Sequence, residues 1–148
     1  MNPFDQYPAG GRQLLGKSKG SNCRHEYGLE FMRLTGQHCC AYCERDLTVG
    51  FETWVTMALD HVVPVSVCKA AGIAEQFCED LANTVLACGA CNGLDNRFQP
   101  SVTVDPHRSI FDLRDAIFAE RKARIKVRRE QEEQFFRTKP WELQSVQR

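Results

Sequence analysis

Asn83-Thr84-Val85-Leu86-Ala87-Cys88-Gly89-Ala90-Cys91-Asn92 is the stretch that organises this chain. A short apolar run opened by Asn and closed by a cysteine turn reads as a brief buried strand. Cys88-x2-Cys91 then presents two sulfurs from one tight turn, and the chain enters a short helix that stops before Pro100. A matching knuckle, Cys40-x2-Cys43, lies upstream across 44 intervening residues. Two such knuckles suit one tetrahedral four-thiolate zinc site. In a chain this size such a site contributes on the order of 10 kcal/mol to folding.

The first knuckle has a rival reading, Cys39-x3-Cys43, in the run His38-Cys39-Cys40-Ala41-Tyr42-Cys43. Cys40 is preferred because its x2 spacing matches that of its mate, and four thiolates leave no place for His38. Cys23, Cys39, Cys68 and Cys78 then read as reduced thiols, buried or idle.

Working outward, Trp54-Val55-Thr56-Met57-Ala58-Leu59 is β-prone and leads into Asp60-His61, and Pro64 ends regular pairing. Residues 65 to 82 form a connection with some helical character. Upstream, Leu29, Phe31, Met32 and Leu34 follow a helical pattern closed by Gly36, so a helix is expected over residues 22 to 34. Downstream, Ser109 with Asp112 resembles a capping box opening the longest helix, to about residue 136. Ile110, Leu113, Ile117 and Phe118 give that helix an apolar face. Residues 1 to 20, rich in Gly and Pro, read as a flexible arm; residues 21 to 138 form a single domain, and 139 to 148 a frayed tail. The expected fold class is α+β: a small core of two strands and a helix, stapled by four cysteines and flanked by an N-terminal and a long C-terminal helix.

With 148 residues, one domain with a genuine core is expected. No run is apolar enough to span a bilayer, and residues 1 to 5 lack a signal-peptide pattern, so a cytoplasmic location without a membrane partner is expected, one in which thiols serve as metal ligands rather than disulfides. The formal net charge of zero hides a segregation. Residues 1 to 39 carry five Lys/Arg against three Asp/Glu, residues 40 to 100 three against eight, and residues 101 to 148 eleven against eight. An acidic middle suits a cation, and basic flanks suit a phosphate backbone.

The order Cys-x2-Cys, then Leu59-Asp60-His61-Val62-Val63-Pro64, then the stretch quoted above resembles the signature of the HNH, or ββα-metal, nucleases. The resemblance covers about residues 36 to 98. It implies a metal-dependent endonuclease that hydrolyses phosphodiester bonds of nucleic acid, DNA foremost, and a lone catalytic site argues for single-strand nicks unless two copies pair. By position Asp60 resembles the family's metal-binding Asp, His61 its general base, Asn83 its hairpin-orienting Asn and Asn92 its second metal ligand. Asn96 lies where some members place a further ligand, and Arg97 beside it could hold a phosphate. Carboxylate and amide oxygens are hard donors suited to Mg²⁺ or Mn²⁺, and a neutral imidazole can accept a proton at cellular pH. The chain departs from commoner members in carrying Asp95-Asn96-Arg97 where they often place a basic residue soon after the last knuckle.

A duplex needs a grip, and Arg114, Arg121 and Arg128 recur at intervals of seven, with Lys122 and Arg129 beside them, on what reads as a helix face other than the apolar one. The plain alternative is a solvated face with local pairs such as Glu120 to Arg124. The chain would act as a monomer or a homodimer. The rival function is a zinc-ribbon-like module that binds nucleic acid or protein and cuts nothing; it accounts for the knuckles but has no use for Asp60, His61 and Asn92.

Overall fold

A computed structural model describes residues 2–7, 23–108 and 110–142. The fold is a small α+β arrangement in which two short strands, Ala58–His61 (β1) and Thr84–Ala87 (β2), pair antiparallel. The register sets Ala58 opposite Ala87, Leu59 opposite Leu86, Asp60 opposite Val85 and His61 opposite Thr84. Every residue of β2 is buried, Val85, Leu86 and Ala87 as an apolar run and Thr84 with its hydroxyl donating to the Leu81 carbonyl at 2.9 Å.

The expected helix over residues 22 to 34 is a π-helical turn, Cys23–Tyr27, running into α1, Gly28–Thr35. Gly36 ends it in the left-handed region at φ 71°, where its N–H reaches the Met32 carbonyl at 2.8 Å, a conformation glycine adopts without a Cβ penalty.

The β-prone run before Asp60 departs from expectation, since only its last two residues join the strand. Residues Phe51–Val55 form a short helix, α2, after the extended Gly50. The register explains why. One step back from the Ala58–Ala87 pair, the partner strand has already turned into the second knuckle, so residues 54 to 57 have no ladder to join. Their amides bond locally instead, Thr56 N–H to the Glu52 carbonyl at 3.3 Å among them. Helix formation at the knuckle also brings Thr56 against Gly89, where an added Cβ would lie 2.9 Å from the Thr56 Cβ.

The 62–83 connection contains α3, Val65–Ala71, and α4, Glu75–Cys78, then a 3-10 turn, Leu81–Asn83, capped by the Asp80 carboxylate, which accepts from Ala82 N–H at 2.9 Å. After β2 the second knuckle opens α5, Gly89–Leu94. The long helix α6, Ile110–Arg137, packs on α5 and on the turn before β2. Ser109, and with it the expected capping box, lies outside the described residues. Ile110, Leu113, Ile117, Phe118 and Ile125 are buried along one face, together with Phe31, Leu47, Leu81, Val62, Val63, Val85 and Leu86 from the body.

The arginine row is not on another face of α6. Arg114 follows Ile110, and Arg121 follows Ile117, by four residues, and residues four apart share a helix face. Arg121 is accordingly only 4% exposed. Arg114 donates to the Ala82 carbonyl at 3.1 Å and lies over the Phe4 ring, and Arg128 donates to the Leu94 carbonyl at 3.0 Å. The row pins α6 to the body.

Of the expected flexible arm, residues 2–7 are described, and they are packed rather than loose. Pro3–Gln6 is a 3-10 turn whose Phe4 is buried edge-on against Tyr7 and Phe118. Tyr7 donates its hydroxyl hydrogen to the Thr84 carbonyl. Residues 8–22 and 143–148, the rest of the arm and most of the tail, lie outside the described residues.

Candidate metal centre and active-site cleft

Four cysteines converge. The Sγ atoms of Cys40, Cys43, Cys88 and Cys91 all lie within 4.8 Å of one another, a group that could hold a metal ion. Sulfurs placed tetrahedrally at about 2.3 Å from one ion would stand about 3.8 Å apart. Cys43 and Cys88 are separated by 3.7 Å. Cys39 is exposed and outside the group, so the x2 spacing of the first knuckle is the one used. His38 stands outside it as well.

Local hydrogen bonds shape both knuckles. In the first, Cys40 N–H donates to the Arg45 carbonyl and Glu44 N–H to the Cys40 carbonyl, both at 2.8 Å, with Glu44 left-handed at φ 63°. Ala41 N–H donates to the Leu86 carbonyl at 2.9 Å, which stitches this knuckle to β2. In the second, the Cys88 sulfur caps α5 by accepting from Cys91 N–H at 3.4 Å. Hydrogen bonds from Cys40 and Cys91 favour the Cys88 thiolate and draw its pKa far below the ordinary thiol range, while the same bond to Cys88 pushes Cys40 up to about 11. Four thiols this close cannot all ionise by themselves; a bound cation is what would permit it. Arg129 donates to the Cys91 sulfur at 3.5 Å and pairs with Glu133 at 3.3 Å, so it faces the cysteines.

Next to this centre opens a cleft of about 300 Å³ lined by Asp60, His61, Pro64, Val65, Asn92, Asn96, Phe98 and Arg121. Asp60 and His61 end β1, Asn92 belongs to α5, and Arg121 reaches in from α6. Residues far apart in sequence thus share one small space.

Asp60 is buried and held at a single oxygen. Its Oδ2 accepts from the Tyr42 hydroxyl and from Arg121 Nη1, the latter at 2.6 Å, while Oδ1 has no protein donor among the described residues. Tyr42 sits between Cys40 and Cys43 and stacks on Phe118, so the first knuckle itself positions this carboxylate. Burial, and then the neighbouring Asp60 charge, push the Tyr42 hydroxyl well above its ordinary pKa, so it stays protonated and donates. Arg121 lies against the rings of Tyr42 and Phe98, 5.4 and 5.5 Å from their centroids, and also donates to the His61 carbonyl at 3.3 Å. Its Nε is buried without an acceptor.

His61 places Nε2 3.0 Å from Glu79 Oε2, and Nδ1 has no hydrogen bond among the described residues. Glu79 was not among the residues singled out from the sequence. It lies in the connection between the strands, and neither spacing nor periodicity relates it to His61; the one hint was an acidic pair, Glu79-Asp80, near a histidine that needs a partner.

Asn83 does not line the cleft. Fully buried, it accepts from Val63 N–H at 2.8 Å and donates to the carbonyls of Val63 and Cys78 at 3.0 and 2.9 Å. Asn92 is half-buried at the cleft wall. Oriented so that its nitrogen donates, the Asn96 amide caps the end of α5 through the Asn92 and Gly93 carbonyls, at 2.7 and 2.9 Å, which leaves its oxygen free.

The expected phosphate-binding residues divide. Arg121 faces the cleft, Arg114 is mostly buried against Ala82 and Phe4, and Arg129 faces the cysteines. Arg128 pairs with the buried Asp95 at 3.9 Å, as Arg124 does at 3.1 Å, and Lys122 reaches Glu44 at 3.5 Å. Arg97 is exposed and makes no ion pair among the described residues. Among the described residues, no helix is long and apolar enough to cross a membrane. No protein-family model, curated protein or solved structure matches this chain.

Proposed function

We propose that this chain is a metal-dependent nucleic-acid endonuclease of the HNH, or ββα-metal, kind, acting on DNA foremost, with zinc in the four-cysteine centre as scaffold. The observation that carries the reading is that Asp60, His61, Asn92 and Asn96 line one cleft, although they come from a strand end, a helix and the loop beyond it. Four cysteine sulfurs within 4.8 Å of one another suit zinc, whereas the cleft offers oxygens. The free Asp60 Oδ1 and the amide oxygens of Asn92 and Asn96 are hard donors of the type Mg²⁺ or Mn²⁺ takes. Such an ion, when bound, supplies positive charge to the phosphate and the departing oxygen.

The protein's own groups do the rest. His61 accepts a proton from the attacking water, Arg121 contributes positive charge beside the phosphate, and Asn83 fixes the loop that follows His61. Arg97, exposed and without an ion pair among the described residues, is the cation that remains to hold the backbone; Lys122 and Arg128 would add to it only beside their contacts with Glu44 and Asp95, and Arg114 and Arg129 act in the fold.

One observation favours a second reading, a binding module without catalysis: the 2.6 Å pair with Arg121 already offsets the Asp60 charge. Plasmid nicking separates the two. With Mg²⁺ or Mn²⁺ the wild type is expected to nick supercoiled DNA, chelator to stop it, and His61→Ala to lower the rate roughly 10²- to 10⁴-fold while zinc and fold persist. Binding of the plasmid without nicks under any divalent cation would refute the nuclease and leave the module.

A further inference from the structure

We propose that Glu79 is a positioning residue for His61, making Nδ1 the nitrogen that takes the proton from water; the inference rests on the nuclease reading above. His61 Nε2 lies 3.0 Å from Glu79 Oε2, with the two side chains 18% and 25% exposed. A carboxylate can only accept, and a neutral imidazole has a single N–H. The contact therefore places that hydrogen on Nε2 and leaves the lone pair on Nδ1, which has no partner among the described residues, in a ring that lines the cleft beside Asp60 and Asn92.

Both partners are held from behind by one side chain. Asn83 bonds Val63, two residues after His61, and the Cys78 carbonyl, one residue before Glu79. Its amide thus sets the separation of the strand end that carries the imidazole from the turn that carries the carboxylate. The fixed end of α4 adds to this, with Glu79 N–H bonded to the Glu75 carbonyl at 2.9 Å.

The chemistry balances. A water O–H bond breaks and its proton goes to Nδ1; the hydroxide oxygen bonds to phosphorus as the bond to the 3′ oxygen breaks, and that oxygen takes a proton from solvent. The imidazolium keeps its Nε2–H on Glu79, whose negative charge offsets the new positive one, and later returns the Nδ1 proton to solvent. Without the carboxylate, neutral His61 would divide between two tautomers, of which one presents N–H instead of a lone pair to the water.

The test uses the zinc-loaded full chain, labelled with ¹⁵N. Long-range ¹H–¹⁵N spectra of the neutral ring, assigned among four histidines by the signals that His61→Ala removes, report the tautomer directly. We expect Nε2–H in the wild type and a mixture in Glu79→Gln. Nicking of supercoiled plasmid with Mn²⁺ should fall roughly 10- to 100-fold in kcat for Glu79→Gln with KM little changed, and Glu79→Asp should recover part of the loss. An Nδ1–H tautomer in the wild type, or wild-type kcat in a folded Glu79→Gln, would overturn the proposal. A wild type that nicks nothing would defeat the nuclease reading alone, and the spectra would still decide the Glu79 contact.

Discussion

Replacing Asn83 by Ala should destabilise this protein more than its position in a turn would suggest. The side chain is fully buried and makes three hydrogen bonds to backbone groups: Val63 N–H, the Val63 carbonyl and the Cys78 carbonyl. The Val63 carbonyl also receives the Cys68 and Cys78 thiols, at 3.7 and 3.9 Å, so it keeps weak partners when Asn83 is truncated. Val63 N–H and the Cys78 carbonyl lose the partner this side chain gave them. Each buried polar group left unpaired costs about 1–3 kcal/mol, so the pair gives a loss of about 2–6 kcal/mol. At about 2–4 °C per kcal/mol for a chain of this size, Tm should fall by roughly 10 °C. Asn83→Asp is the sharper probe. It keeps the acceptor for Val63 N–H, loses both donors, and sets a carboxylate against two carbonyl oxygens, so it should be no better than Ala. Thermal and urea unfolding of the zinc-loaded protein, followed by circular dichroism, measures both. A folded Asn83→Ala within about 1 kcal/mol of wild type would show that the loop after β1 is held by something other than this amide.

The four-cysteine group, which could hold a metal ion, makes its own demands. Cys88→Ser should lower bound zinc from one equivalent per chain and remove stability on the order of 10 kcal/mol, seen as lost helical signal, whereas the exposed Cys39→Ser should retain full zinc by elemental analysis; equal loss in both would refute the choice of Cys40 over Cys39. Arg121→Ala should cost about 3–5 kcal/mol in urea unfolding, since it strands a buried Asp60, and Asp60→Asn in the same chain should return part of that loss; additive losses would mean the ion pair is not the coupling.

The cysteine spacing made the centre legible because two x2 knuckles admit few other arrangements, and Gly36 marked the end of the first helix because its left-handed conformation has a residue preference. Of the residues that the sequence groups, Asp60, His61, Asn92 and Asn96 share one cleft, whereas Asn83 is fully buried outside it. What escaped were relations set by the third dimension. The β-prone run from Trp54 lost its strand to the turn of its partner, which propensity cannot register. Arg121 is a different case: its spacing of four from Ile117 already sets it on the apolar face, and a guanidinium buried against Tyr42, Phe98 and Asp60 is compatible with that seam because its charge is met there. Glu79 was hidden for a simpler reason: its contact with His61 depends on the path of a connection that contains two short helices.

The three arginines of α6 also set a tolerance on its length. Seven residues of helix advance about 10.5 Å, and at these intervals Arg114 grips the turn ahead of β2, Arg121 the end of β1 and Arg128 the end of α5. One residue inserted or deleted between the first and the last would swing the distal anchors through about 100°, off the seam and into water. The residue count of this helix between positions 114 and 128 is therefore constrained by its three anchors, independently of which side chains lie on its outer surface.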